Sequence, residues 1–412
     1  WHASGCWRMI EPVIVVGAGP IGAVLSLALA QRGVPAVLIE ALPAPEIECR
    51  AASCHPPTIA MLEDLGLLDA GLEQGLVSPV FKYLDRPSGE LIATFDLRAM
   101  RAPPRHAYVL QWEQYKIVST IFERLAGDPF VEVRRGSRVT GVTQSADGAT
   151  VTVEDADGGV EAISGAYVVG CDGGRSTVRR AAGIEFEGFT WPERFLKIDT
   201  LFEFPELRPE LSNRNYFADP DRWLNLFKAR GPDGGGMWRA VSPTLPEQTD
   251  EELLSPEAIE ARLQMFCPKP GPYEIATVAL YKVHQRVAET FNKGRILLAG
   301  DAAHVNNPIG GMGMNAGIHD AIDLADKLAE IHQGAEATPL LDRYTRQRRK
   351  AQLDFVQSQT IQNKETLGES DPVARALKLE AVRQNGLDPE RHDAFIRRAC
   401  MMDSVEAAQA TV

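Results

Sequence analysis

Val13-Ile14-Val15-Val16-Gly17-Ala18-Gly19-Pro20-Ile21-Gly22 is the stretch on which the fold turns. Its four unbroken apolar residues read as a strand buried on both faces of a parallel sheet. After the glycines, Ile21, Val24, Leu25, Ala28 and Leu29 recur at helical spacing until Gly33. Strand, tight loop and helix in that order make a dinucleotide site. Gly17 permits the sharp turn, Gly19 lets the backbone approach a pyrophosphate, and Gly22 lets helix and strand pack closely, while the helix N-terminus offers N–H groups to phosphate. A second strand over residues 37–39 ends at Glu40, 18 residues past Gly22, near where an acid accepts hydrogen bonds from a ribose. NAD and FAD both satisfy this pattern.

The chain has 412 residues, 44% of them hydrophobic, enough for two lobes and a tail around large cores. A formal charge of −13 argues against nucleic acid or an anionic membrane as main partner, since both reward clustered Lys and Arg. Six cysteines without a CxxC fit a reducing, cytoplasmic setting and argue against a zinc site. No run reaches the roughly 18 to 20 apolar residues that span a membrane. Residues 1–8 lack the apolar core of a signal peptide and stay outside the fold reading.

Farther along, Pro43 and Pro45 mark a loop, residues 58–68 carry a helical stripe, and 111–125 read as a helix beginning at Gln111. Residues 131–133, 151–153 and 160–163, with a turn at Asp157-Gly158, suggest an antiparallel insertion. A buried strand over 167–170 aims at Asp172. Between 186 and 281 prolines become frequent and segments such as 223–227 and 237–241 alternate, as in a mixed or antiparallel sheet. The first texture returns at 295–299, a strand carrying Gly300-Asp301 at its end, followed by a helix from about Met314. Beyond 346 the chain is charged and helical in character.

Three separated motifs then belong together: Gly17 to Gly22 with Glu40, Gly170-Cys171-Asp172-Gly173-Gly174-Arg175-Ser176, and Gly300-Asp301-Ala302-Ala303-His304 with Pro308 and residues 310–315. In that set the chain resembles the FAD-dependent aromatic hydroxylases of the p-hydroxybenzoate hydroxylase type. The resemblance covers most of residues 10–330. It implies an α/β fold: a Rossmann-like FAD-binding domain (9–82, 104–185 and 282–345), an inserted mixed or antiparallel-sheet substrate domain (83–103 and 186–281), and a C-terminal helical region (346–412).

Position by position, the resemblance implies that Gly17, Gly19 and Gly22, with Pro20 and Ile21 between them, hold the FAD pyrophosphate, and that Glu40 holds the ribose. Arg50 matches an arginine on the flavin side, Gln111 a glutamine that contacts FAD, and Val139 a position near the adenine. Asp172 is tied to both FAD and NAD(P)H binding, Asp301 to the ribityl chain, and Gly311, Met314 and Asn315 to the isoalloxazine. His304, Asn307 and Pro308 are the candidates for catalytic roles beside the ring, with His304 reading better as part of the Gly-Asp loop than as a general base. Ala41 stands where many relatives carry arginine, and Asn306-Asn307 replaces more apolar residues before the proline.

The implied activity is hydroxylation of a small aromatic or heteroaromatic, phenol-like substrate. FAD is bound noncovalently, NADH or NADPH is the electron donor, and O2 reacts through a flavin C4a-hydroperoxide. No second glycine-rich nucleotide motif exists for NAD(P)H, which is expected to bind transiently. Substrate candidates are Tyr216, Asn225 and Arg239, with His284 beside them, while His55 is expected to pack behind Arg50. No metal is expected, and a homodimer stays open. The rival readings are another flavoenzyme on the same scaffold, a reductase or an epoxidase, and a flavin-binding protein without turnover.

Overall fold

The computed structural model describes residues 11–45 and 51–412. Its first sheet follows from the opening stretch. Val13–Val16 is buried along its whole length and pairs in parallel with Tyr167–Gly170 on one side and Ala36–Ile39 on the other. Ile296–Leu298 and Val131–Arg134 extend it in parallel, and Asn292–Lys293 closes one edge antiparallel. The inner parallel strands are apolar because helices cover one face and a three-stranded meander, Ser137–Gln144, Ala149–Asp155 and Val160–Gly165, lies against the other, whereas the edge strand Val131–Arg134 carries Glu132 and Arg134.

The helix Pro20–Gln31 starts directly after the glycine loop and packs against Met312–His332 and Gln114–Leu125. Gly17 has φ +96°, a conformation costly for any side chain, and a Cβ on Gly22 would stand 1.9 Å from the Gly17 carbonyl oxygen. Turn and close approach therefore both require glycine.

The second sheet has eight strands in the order His304–Val305, Ile275–Ala288, Phe186–Thr200, Met237–Pro243, Leu224–Ala229, Arg214–Ala218, Val80–Asp85, Leu91–Asp96. Phe186–Thr200 and Ile275–Ala288 form a long antiparallel ribbon, and the short strand His304–Val305 fastens its base to the Gly300-Asp301 loop. Over its outer strands the face that carries Tyr216 is covered by the C-terminal helices: Phe395 stacks on Phe95 at 4.3 Å, and Val382, Ile396 and Cys400 join one apolar cluster with Phe81, Tyr83 and Tyr216. The opposite face is covered by the helix Pro256–Phe266, whose Ile259, Leu263 and Phe266 cluster with Phe217, Leu226 and Trp238. The expected fold class holds, an α/β nucleotide-binding core with an inserted sheet and a helical tail.

Four local readings change. The helix expected from Gln111 begins at Gln114, because Val109–Gln111 is a strand pairing with Leu76–Ser78 and Ser53–Cys54. The stripe at 58–68 divides into Pro56–Asp64 and Leu68–Gln74, separated at Gly66, whose φ is +73°. The segment expected in an antiparallel insertion at 131–133 instead forms the parallel edge of the first sheet, Ala36 facing Val131. The helix expected from Met314 begins at Met312.

One buried carboxylate joins these parts. Asp320 accepts hydrogen bonds from the Gly300 N–H (3.0 Å), His304 Nε2 (2.6 Å) and Arg348 Nε (2.7 Å). Burial alone would raise its carboxyl, but His304 and Arg348 overcome that and hold it below the usual carboxylate range. Asp320→Asn should therefore strand two buried cationic or donor groups and cost about 3 to 5 kcal/mol. Because a depressed carboxyl contributes stability above its unfolded value and loses it only as pH falls through the folded one, the deficit in denaturant unfolding should be the same at pH 7 and pH 5. A deficit that shrinks over that interval would mean that Asp320 titrates higher than its partners allow.

Candidate functional site

A cavity of about 1130 Å³ runs from the glycine loop, past the N-terminus of Met312–His332, to the inner face of the second sheet. Its first end is a dinucleotide cradle. Gly17, Gly19, Pro20 and Ile21 form part of the wall, and a Cβ built on Gly19 meets nothing within 4 Å, so backbone faces open space there. The helix that follows has no side-chain cap, which leaves first-turn N–H groups for phosphate. Glu40 lies at the end of its strand with Oε2 accepting from the Ala18 N–H (2.7 Å) and Oε1 from the Leu42 N–H (2.9 Å). A carboxylate has about four acceptor sites, so the fixed Glu40 keeps capacity for ribose hydroxyls. Val139 borders the same end beside Arg138. Arg50 lies outside the described residues.

At the middle of the cavity Asp172 reaches the wall, but its carboxylate is occupied: Oδ1 accepts from Ser176 Oγ (2.5 Å) and Oδ2 from the Thr177 and Val178 N–H groups (2.6 and 3.1 Å). Asp172 thus shapes the loop that carries Arg175. Asp301, Pro308, Gly311 and Met314 also line the wall. Gly311, at φ +69°, opens the helix Met312–His332, again without a side-chain cap, and a Cβ there would press to 3.0 Å from the Ser53 side chain. An uncapped helix end beside an open, side-chain-poor loop suits a flat ring that carries negative charge. The two uncapped helix ends, the bare backbone at Gly19 and the anchored acid together fit a flavin dinucleotide.

Four of the expected site residues stand behind the wall rather than on it. Asn315 is fully buried; its Nδ2 donates to the Ser53 and Gly311 carbonyls (2.7 and 2.6 Å), and its Oδ1 accepts from the His55 N–H (2.8 Å). Gln111 accepts from Ser53 Oγ at 2.9 Å. Asn307 binds Gln285 and the Thr360 carbonyl and accepts from the Ile309 N–H, which fixes the loop but turns its amide away from the cavity. His304, given above as a catalytic candidate, is engaged by Asp320 and meets Gln352 at 3.1 Å, so it braces the loop instead. His55, expected behind Arg50, bonds the Gly310 carbonyl through Nε2 at 2.9 Å. Burial, then the nearby Arg214 charge, push its imidazole down to about 3, and it is neutral at physiological pH. Of the adjacent asparagines, Asn306 reaches the cavity.

The second sheet supplies the far end. Tyr216, Asn225 and Arg239, all named from the sequence, reach the cavity, as do Arg214, Lys197 and Tyr281, which sequence reasoning missed. The signal for Arg214 was strand alternation, which puts it on the same face as Tyr216 two residues on. Arg239 donates to both oxygens of Asp199 (2.7 and 2.8 Å), Lys197 lies 3.3 Å from the same carboxylate, and Thr277 adds a 2.6 Å hydrogen bond. Burial pushes the Tyr281 phenol up. His284 lies at the mouth, bonded to Thr190, its imidazole lowered by burial and by Arg286, Lys282 and Arg175.

A dinucleotide cradle that opens onto a polar, aromatic sheet face defines a flavoprotein with a separate substrate chamber. The family described as "FAD binding domain" matches residues 11–359, and the chain belongs to it. It is similar to para-nitrophenol 4-monooxygenase of Pseudomonas sp. (strain WBC-3), 34% identical over 382 residues, 92% of this chain and 93% of the relative. It is also similar to 6-hydroxy-3-succinoylpyridine 3-monooxygenase HspB of Pseudomonas putida (strain DSM 28022 / S16), 31% identical over 372 residues, 88% and 91% of the two chains. Among solved structures, p-nitrophenol 4-monooxygenase PnpA from Pseudomonas putida DLL-E4 superposes with a TM-score of 0.89 at 32% identity, covering 96% of this chain and 98% of the other. The chain is an FAD-dependent monooxygenase of the aromatic hydroxylase class, and the reductase, epoxidase and non-catalytic readings are not favoured. Among the described residues no helix is long and apolar enough to cross a membrane.

If Glu40 holds the ribose, charge-assisted bonds of about 1.5 to 3 kcal/mol are at stake, and Glu40→Ala should weaken FAD binding roughly ten- to a hundredfold. Fluorescence titration of the apoprotein with FAD measures it, and Glu40→Gln, which keeps one acceptor, should fall between. Equal affinity in all three proteins removes Glu40 from the site.

Proposed function

We propose that this enzyme hydroxylates a small, single-ring phenol, consuming NADH or NADPH and O2 and yielding the hydroxylated ring, NAD(P)+ and water. The observation that carries the reading is the chamber between the Pro308–Gly311 turn and the second sheet, where tyrosines and buried cations converge on one space. The similarity to proteins named for a nitrophenol and a hydroxypyridine supports the phenol-like class. On this reading Gly17, Gly19 and Glu40 would hold the dinucleotide half of FAD, and Asp301, Gly311 and Met314 its flavin half. When bound, FAD takes electrons from NAD(P)H and activates O2 for transfer of one oxygen atom to the ring.

The chain's own residues position and shield. Pro308 and the Gly311 N–H close a turn (3.0 Å) that separates the flavin half of the cavity from the sheet, while Asn307 locks that turn to Gln285 and Thr360. Tyr216, Asn225 and Tyr281 offer aromatic faces and hydrogen bonds to the substrate ring. The same reading has the enzyme working in the cytoplasm, consistent with four free thiols among the described residues, and as a homodimer, which sedimentation analysis would test.

The direct test is NADH and NADPH oxidation against a panel of phenols and hydroxypyridines, with product identified by chromatography. Substrate-stimulated oxidation with a hydroxylated product is the expected result; oxidation that no phenol stimulates refutes the reading. Pro308→Gly should loosen the turn, and a misplacement of about 1 Å can cost on the order of a hundredfold in transfer. The variant should release more H2O2 per NAD(P)H and less product, as read from an oxygen electrode with and without catalase. Full coupling would show that the turn does not set the transfer geometry.

A further inference from the structure

Glu40 anchors one side of the dinucleotide cradle, but the segment that leaves it, Ala41-Leu42-Pro43-Ala44-Pro45, brings no polar side chain to that end of the cavity. Polar side chains come from the neighbouring strand end instead. The Glu40 N–H donates to the Arg134 carbonyl, the Ser137 N–H to the Glu40 carbonyl and the Gly136 N–H to the Leu42 carbonyl (2.8, 2.9 and 3.3 Å), so the turn 135–137 is fastened along residues 40–42. Gly136, at φ +66°, makes the reversal between Val131–Arg134 and Ser137–Gln144. This places Arg135 on the cavity wall at the end that Glu40 and Val139 also line.

Arg135 is half-buried there, and its guanidinium carbon lies 3.9 Å from the centre of the Phe122 ring. Phe122 stands one helical turn past Val118, which lines the same wall. Among the described residues the Arg135 guanidinium has no carboxylate or carbonyl partner, so the ring alone holds it. A guanidinium is planar and weakly hydrated and packs on π faces. Arg138 borders the same end, but it is exposed, and among the described residues no aromatic ring backs it.

We propose that Arg135 holds the adenine of FAD, its guanidinium stacking on the purine and Phe122 serving as the platform that fixes it. The phosphates have donors of their own at the uncapped start of the helix Pro20–Gln31, whereas Arg135 lies on the Glu40 side, where a ribose and its base belong. Selection of FAD over a mononucleotide flavin is then made at this turn, far along the chain from the residues that meet the flavin. The inference rests on the reading of the Glu40 end as the adenosine end.

The experiment uses the full chain freed of FAD and titrates it with three probes: FAD and FMN, followed by flavin fluorescence, and ADP, followed by its competition with FAD. Arg135→Gln should weaken FAD and ADP by the same factor, roughly three- to thirtyfold, with FMN changed less than about twofold. Phe122→Leu should produce part of that loss, and adding Arg135→Gln to it should cost less than the glutamine change costs alone, because the two residues act as one unit. Arg138→Gln removes the same charge from the same rim and should change FAD affinity less than about twofold. A loss that FMN shares makes Arg135 a phosphate or packing contact, a loss that Arg138→Gln matches makes it a matter of net charge, and no loss removes it from the site; each overturns the assignment. Where Arg135→Gln fails to fold, Arg135→Lys decides: it keeps the charge without the planar face and should still weaken FAD about threefold or more, whereas wild-type affinity overturns the stack. If Glu40→Ala weakens FAD and the Arg135 variants do not, only the Arg135 assignment falls; if neither weakens it, the adenosine reading of this end falls and Arg135 with it.

Discussion

The Asp320 carboxylate is the point through which the nucleotide core, the flavin loop and the helical tail are held in one geometry. It sits on the helix Met312–His332, takes the Gly300 N–H at the end of the strand Ile296–Leu298, and binds His304 and Arg348. Arg348 in turn donates to the Ala316 carbonyl (3.3 Å), and Tyr344 Oη donates to the Leu298 carbonyl (2.7 Å). A buried charge is tolerated only when its hydrogen bonds are made, so each of these groups fixes the others. Asp301, next to Gly300, and the uncapped end of the helix at Gly311 acquire their relative positions from this arrangement.

The second sheet gains its chamber from the same attachment. The ribbon Phe186–Thr200 and Ile275–Ala288 leaves the core, carries the substrate strands, and is pinned at its base by His304–Val305. Inside the chamber two kinds of cation coexist. Arg239 and Lys197 are neutralised in part by Asp199, whose carboxyl burial would raise and Arg239 holds down, so they act as a rigid, polar wall. Arg214 is held differently, through its hydrogen bond to Tyr216 Oη and the Phe81 ring.

The tail contributes more than a cover. The helices Ala337–Ala351 and Ser358–Leu367 are joined by a π-helical turn, Gln352–Gln357, and the widened turn brings Gln352 to His304 and Gln357 Nε2 to the Val305 carbonyl at 3.1 Å. Thr360 and Asn363 reach the loop on the other side, at Asn307 and the Ile309 carbonyl. Such π-helical turns recur where a side chain must be aimed at a functional segment. Here the segment is the Pro308 turn, and the tail holds it without touching the cavity.

What the sequence determined by itself was everything set by neighbours within a few residues. The apolar run 13–16, the glycines at 17, 19 and 22, and the acid at Glu40 specify strand, turn, helix and cradle locally, because strand burial, positive φ and close backbone approach leave few other residue choices. The resemblance to aromatic hydroxylases followed from three such local motifs. Tertiary structure alone decided which polar residues face the ligand. Gln111, His304, Asn307 and Asn315 sit in the right motifs, yet each side chain is engaged by a partner distant in sequence, such as Asp320 for His304 and Ser53 for Asn315. Arg214 was passed over because nothing in the strand around it says that the fold turns it toward the cavity. Whether a buried polar group is paired, and with what, depends on the whole fold and not on its residue type.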